Sequence, residues 1–186
     1  MTQHKRATIE RLIKHHAAPL TVIGYATTPP GDADYERRLR LWAADCAARA
    51  LPLLAQLQQD DSEAVAAITA ARHYAYGLID AAQLVPFDCP PDSKLYQDAI
   101  RSDYSVASEV RLAAAMTAQA DVWYGALAAA QHARSAILNA IWGQANISHR
   151  QAAKESHDES KWQALRLGRW LADIEPAEWP IVSEAA

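Results

Sequence analysis

Apolar residues along this chain recur at spacings of three and four, in runs separated by prolines, glycines and aspartates. This repeat places apolar side chains on one face of an α-helix, whereas a half-buried strand would alternate apolar and polar residues. That alternation is nearly absent, and alanine, the residue with the highest helix propensity, dominates the sequence. The pattern therefore predicts an all-α protein, a single-domain bundle of about five to six helices with one longer irregular loop.

Breaks in the pattern set the predicted elements. Pro52 falls inside an apolar stripe through Trp42 and Cys46, which predicts a kink or two abutting helices. Gly125 marks either a break or a close helix contact, so residues 105–142 fit one helix or two. The whole chain, residues 1–186, is predicted to be a single domain. It begins with a short N-terminal helix and loop over 1–31 and ends with an irregular tail over 174–186. Between them lies a helical core over 32–173, which contains predicted helices over 62–83 and 149–173.

The first predicted helix, residues 4–16, is basic and amphipathic. Ile9, Leu12 and Ile13 form its apolar stripe, and the basic side chains surround the other side: Lys5, Arg6, Arg11 and Lys14. A solvated helix that docks through this stripe is favoured over membrane binding, because the apolar face is short and has no aromatic residue.

Charge is distributed unevenly along the chain. The formal net charge is -4, but residues 51–100 hold 7 acidic and 2 basic groups. A nucleic-acid-binding protein would show a basic excess, so the acidic middle third favours a basic protein partner instead. The sequence shows no signal-like segment, no apolar run of membrane-spanning length and only two cysteines. These features predict a soluble cytoplasmic protein with free thiols.

Motifs for catalysis are missing from the sequence. It has no Gly-rich phosphate loop, no GxSxG, no HExxH and no CxxC. Cys46 lies on the apolar stripe, where burial would raise its pKa, and Cys89 sits between an aspartate and prolines, so neither is a predicted nucleophile. We predict no catalytic residue, no metal ligand and no cofactor.

Asp45 and Arg72 are predicted to form a structural ion pair. Arg72 occupies a position on the apolar stripe of the third helix where another apolar residue is expected, and a buried arginine needs an anion. Asp45 has Arg49 four residues further on as another partner. The separate need of Arg72 for an anion favours the pair between helices.

Several motifs resemble the Imm-five-like family of immunity proteins. They are "LWAADCAARALPLL" at residues 41–54, "AITAARHYAYG" at residues 67–77 and "WQALRLGRWL" at residues 162–171. The resemblance covers about residues 39–171, although Tyr74 and Tyr76 stand where the family has a tryptophan and the 84–104 segment is atypical. It implies a non-enzymatic cytoplasmic bacterial protein that binds a cognate toxin and protects the cell that makes it.

The irregular segment 84–104 is the predicted toxin-binding surface, although it also permits a short helix around 93–101. It combines aromatic anchors with acidic charges that steer and pair with a basic surface. The alternative is a solvated acidic loop whose tyrosines pack back on the bundle. The predicted contact residues are Phe87, Asp88, Asp92, Tyr96, Asp98, Asp103 and Tyr104.

The leading hypothesis is therefore an immunity protein that neutralises its toxin by stoichiometric occlusion. The rival is a small helical-bundle enzyme that binds a metal or ligand through His73, His132, His149 or His157. A third hypothesis is a homodimer, for which the six tryptophans supply apolar interface.

Overall fold

A computed structural model describes residues 32–90, 92–102, 105–144 and 147–171. The described residues form helices and no strand, which confirms the all-α prediction for this part of the chain. The predicted helix over 4–16 and the tail over 174–186 lie outside the described residues. The helices are α1 (Ala33–Ala50), α2 (Pro52–Gln56), α3 (Ser62–Ala75), α4 (Ala81–Leu84), α5 (Lys94–Arg101), α6 (Val106–Met116), α7 (Val122–Trp142) and α8 (His149–Leu171), with a 3₁₀ turn at Val85–Phe87.

Helix α1 lies at the centre of the bundle and packs against α3, α6, α7 and α8. It begins at the N-cap Asp32, whose carboxylate accepts hydrogen bonds from the backbone N–H groups of Asp34 and Tyr35. Its Trp42 is fully buried and donates its indole N–H to the carbonyl of Gln163 on α8, at 3.0 Å. The facing alanines of α1 and α7 are buried, and such small side chains allow two helices to approach closely.

Two ambiguous breaks in the sequence are resolved. Helix α1 ends at Ala50 and α2 begins at Pro52, so Pro52 starts a new helix at the position where proline is best tolerated. Residues 105–142 contain two helices, and Asp121 caps the second of them. Gly125 is a close contact: a Cβ atom there would lie 2.6 Å from the carbonyl oxygen of Met116 and 2.7 Å from Cβ of Gln119.

The predicted helix over 62–83 is wrong beyond Ala75. Gly77 has a φ of +70°, which ends the helix, and Asp80 caps the separate helix α4. The segment 84–104 contains α5, which confirms the short helix allowed around 93–101, and it also contains the 3₁₀ turn, which the sequence did not predict. Phe87 and Cys89 of this segment line a cavity together with Ser62, Glu63 and Ala66 of α3, so the segment that carries the predicted contact residues lies beside α3.

Candidate functional site

The structure separates the predicted contact residues by exposure. Asp92 and Asp98 are exposed, whereas Phe87, Asp88 and Tyr96 are half-buried. The remaining two predicted residues, Asp103 and Tyr104, lie outside the described part of the chain. The exposed carboxylates thus offer contact to a partner, and the aromatic side chains have a more internal role.

Phe87 and Tyr96 pack back on the bundle. Phe87 contacts both the main core and a smaller apolar cluster formed by Ala70, Ala71, Leu84 and Ala118. Tyr96 packs on the main core and lines a cavity of 820 Å³ together with Trp42, Tyr124 and His132. Each ring still keeps part of its surface open at the edge of a cavity.

Cys89 anchors the backbone that carries the aspartates. It is 2% exposed, and its Sγ lies 3.0 Å from the Ser93 hydroxyl, which also caps α5 by accepting the N–H of Tyr96. The Cys89 N–H donates to the carboxylate of Asp88 at 2.9 Å, and its carbonyl accepts from the Gln119 side chain at 2.9 Å. Burial raises the pKa of the Cys89 thiol, so this residue is a buried structural anchor.

Five acidic side chains from α5, the segment before it and the start of α3 form what we call the acidic face. Glu63 lines cavities with Asp88 and with Asp98, so the start of α3 and the 88–98 segment are neighbours. Glu63 and Asp92 form no ion pair with any residue in the described ranges. Two hydrogen bonds from Ser62 lower the pKa of Asp60, which favours its ionised form. The members of the face are Asp60, Glu63, Asp88, Asp92 and Asp98.

The cations near the acidic face do not balance it. Lys94, Arg101 and Arg111 lie beside it, and Arg101 pairs with Asp98 at 3.4 Å in an exposed position. Arg72, the other basic residue of the 51–100 segment, is buried. The face therefore has an excess of negative charge suited to a basic surface. Sequence reasoning missed Asp60 and Glu63, because only the fold brings the start of α3 beside α5.

Asp45 is the centre of a buried charged cluster. Its side chain is 1% exposed, and Arg72 Nη2 lies 3.1 Å from its Oδ1. Its Oδ2 accepts hydrogen bonds from Arg166 Nε at 2.6 Å and from Trp170 Nε1 at 2.8 Å. The structure thus brings Asp45 and Arg72 together and adds two α8 residues. Because those residues are distant in sequence, no local pattern pointed to them.

Arg49, the other sequence candidate for a partner of Asp45, pairs elsewhere. Its Nε lies 2.7 Å from Oε2 of the buried Glu159, and its guanidinium stacks 4.4 Å from the ring centroid of Trp162. Between these clusters, burial and the charges of Glu159 and Asp45 raise the pKa of the Cys46 thiol well above its usual range. Both clusters fix α8 against α1 and hold the scaffold in place.

The histidines of the rival hypothesis are dispersed. His132 Nδ1 lies 2.6 Å from Glu109 Oε2, and the His149 ring lies 5.2 Å from that of Trp142. His73 is exposed in a groove on α3, and His157 is exposed on α8. Within the described ranges, no three His, Cys, Asp or Glu residues are grouped so that they could hold a metal ion. The described helices also include none long and apolar enough to span a membrane.

Comparisons with known proteins give one finding. Neither the curated proteins nor the solved structures contain a match to this chain. Residues 32–85, which run from the cap of α1 to the start of the 3₁₀ turn, match the model of the family described as "Imm-5 like putative immunity protein".

Proposed function

We propose that this chain is an immunity protein that binds a cognate bacterial toxin and neutralises it by stoichiometric occlusion in the cytoplasm. The observation that carries this proposal is the match of α1 to α4 to the immunity family. Such a role is that of a binding protein, without catalysis. The helical bundle supplies what the role requires, a rigid scaffold that presents a surface to a partner.

The acidic face is the proposed toxin-contact surface. Asp92 and Asp98 are exposed and lie on or next to α5, whose position is fixed by the Cys89 anchor. Complementary charge accelerates association and fixes the orientation of a complex. A basic toxin surface therefore fits this face, and Phe87, which lines a cavity with Glu63 and Asp88, adds apolar contact at its edge.

The experiment is co-expression with the polypeptide encoded immediately upstream, followed by affinity measurement. Asp92→Lys with Asp98→Lys is expected to weaken the complex at least about tenfold, or about 1.4 kcal/mol. The control is Glu155→Lys with Asp158→Lys, which changes the net charge equally but lies on α8, a helix that packs on α1 and α7. If the variant with Asp92→Lys and Asp98→Lys binds with wild-type affinity, the acidic face is not the contact surface. If no complex forms at all, the proposal that this chain binds a toxin encoded upstream is wrong.

A second candidate function is small-ligand binding, and one observation favours it. The 820 Å³ cavity lies between α7, α8 and the core and contains the buried Glu109 paired with His132. A concave site with a few convergent polar groups is typical of ligand pockets. Native mass spectrometry of the purified protein tests this function, since a stoichiometric adduct favours it and a mass equal to that of the chain alone counts against it.

A further inference from the structure

The 820 Å³ cavity beside α7 is large enough for a small molecule and separate from the acidic face. Ligand pockets usually have volumes of about 300 to 1,000 Å³. Residues of α1, α5, α6, α7 and α8 line this cavity, and the members of the acidic face are not among them. Its ligand can therefore differ in chemistry from the proposed toxin surface.

Two buried oxygen atoms in the cavity lining have unused hydrogen-bonding capacity. Glu109 is 5% exposed, and its Oε2 lies 2.6 Å from Nδ1 of His132. Gln163 is 3% exposed, and its amide nitrogen donates to the Ala130 carbonyl and to Glu159 Oε1. Oε1 of Glu109 and Oε1 of Gln163 accept no hydrogen bond from any residue in the described ranges. Both atoms are acceptors, so a ligand that donates N–H groups satisfies them.

Charge in the interior of the cavity comes from Glu109. Within the described part of the chain, this carboxylate forms no ion pair with an arginine or a lysine. Its partner His132 carries a charge only when it is protonated. Arg134 also lines the cavity, but it is exposed and donates a hydrogen bond to the hydroxyl of Ser156 at 2.8 Å. No permanent cation therefore neutralises the buried carboxylate.

Aromatic side chains form part of the cavity wall. Trp42 lies at its inner side and is fully buried, whereas Tyr124 is exposed at its outer side. The faces of aromatic rings attract cations, and their flat apolar surfaces pack against an aromatic ligand. A buried carboxylate and aromatic rings in one cavity both favour a ligand that is positively charged and partly apolar.

We propose that this cavity binds a small organic cation, an amine or amidine with an aromatic body. Its N–H groups donate to Glu109 and Gln163, and its apolar body packs on Trp42 and Tyr124. The inference rests on small-ligand binding, the second candidate function, and is independent of any toxin. An anion is disfavoured, because it would bring a like charge close to the buried carboxylate.

Titration of the isotope-labelled full chain with three indole compounds, followed by nuclear magnetic resonance, tests the proposal. Tryptamine carries an ammonium group, tryptophol a hydroxyl group and indoleacetate a carboxylate on the same indole body. Tryptamine is expected to bind at least about tenfold more tightly than tryptophol, because hydrogen bonds to charged groups are stronger than those between neutral groups. Indoleacetate is expected to bind most weakly. The amide cross-peaks of Ala128, Ser135 and Ser160, which line the cavity, should shift.

Glu109→Gln isolates the contribution of the charge. The variant keeps the shape of the side chain and an acceptor oxygen, so tryptophol should bind as it does to the wild type, which also shows that the cavity is intact. Tryptamine affinity should fall at least about tenfold. The matched control is Asp158→Asn, which also removes one negative charge, but from a side chain that is 48% exposed. It should leave tryptamine binding unchanged.

The possible outcomes separate this inference from the ligand-binding function on which it rests. If all three compounds bind in the cavity with equal affinity, the cavity binds ligands but the preference for cations is wrong. If none of them binds, the ligand-binding function fails together with the inference. Shifts centred on Asp92 and Asp98 would overturn the inference as well, because tryptamine would then bind the acidic face. Unchanged tryptamine affinity in Glu109→Gln would exclude Glu109 as the recognition group.

Discussion

Replacement of Asp45 by asparagine should destabilise the fold strongly. The Asp45 carboxylate is 1% exposed and accepts hydrogen bonds from Arg72, Arg166 and Trp170, and both arginine side chains are only 10% exposed. Asparagine preserves the shape but removes the charge, which leaves two buried guanidinium groups without this counterion. Removal of one member of a buried ion pair costs about 3 to 5 kcal/mol. That is a large part of a typical free energy of unfolding of about 5 to 15 kcal/mol.

Asp34 supplies a matched control in the same helix. Its carboxylate also contacts two arginines, Arg38 at 2.6 Å and Arg37 at 2.9 Å, but it is 54% exposed. Exposed ion pairs contribute about 0 to 1 kcal/mol, so Asp34→Asn should lower the free energy of unfolding by about 1 kcal/mol or less. Burial is thus the main difference between the two substitutions.

Urea unfolding followed by far-ultraviolet circular dichroism measures the free energy of unfolding of both variants. The two values are compared with one shared m-value, the slope of this free energy against urea concentration. Arg72→Met should cost less than Asp45→Asn, because Arg166 and Trp170 still satisfy the Asp45 carboxylate. This milder variant keeps the comparison measurable even when Asp45→Asn unfolds most of the protein. Equal stability of Asp45→Asn and Asp34→Asn would refute the reasoning, since the cluster would then contribute no more than an exposed pair.

Two further predictions concern the core. Gly125→Ala should destabilise the protein by about 1 to 3 kcal/mol in the same urea assay, because its Cβ would lie 2.6 Å from the Met116 carbonyl oxygen; wild-type stability would contradict this close contact. Cys46 and Cys89 should not react with a thiol reagent at pH 8 in the native state, because burial raises the pKa of both thiols and keeps them protonated. In urea, which unfolds the protein, both thiols should react. Rapid reaction of the native protein would show that these sites open.

Local patterns predicted the helices better than their ends. The stripe through Trp42 and Cys46 lies on a helix whose inner face is buried, because the spacing of apolar residues alone sets that face. The end of α3 was missed because apolar residues continue past Ala75 at helical spacing. Gly77 takes a left-handed conformation there and Asp80 caps the separate helix α4, and this choice depends on tertiary packing.

The candidate site was predictable only where a charged residue on an apolar stripe required a partner of opposite charge. Arg72 on an apolar stripe requires an anion, and the structure places Asp45 beside it. Arg166 and Trp170, more than 120 residues from Asp45, gave no such signal. The aromatic residues of the 84–104 segment show the opposite problem: their composition suits a binding surface, but Phe87 and Tyr96 also pack on the core.

Helix α3 joins the buried cluster to the outer surface. Its inner face carries Arg72, held by Asp45, while Val65, Ala66 and Thr69 on another face line a surface cavity beside Phe87. A stable inner contact fixes the position of α3, and with it the acidic face at its start. Substitutions in the cluster should therefore alter binding only through the position or stability of α3, whereas substitutions at Asp92 and Asp98 should alter binding without lowering stability. Measuring both properties for both sets of variants separates the scaffold from the surface it presents.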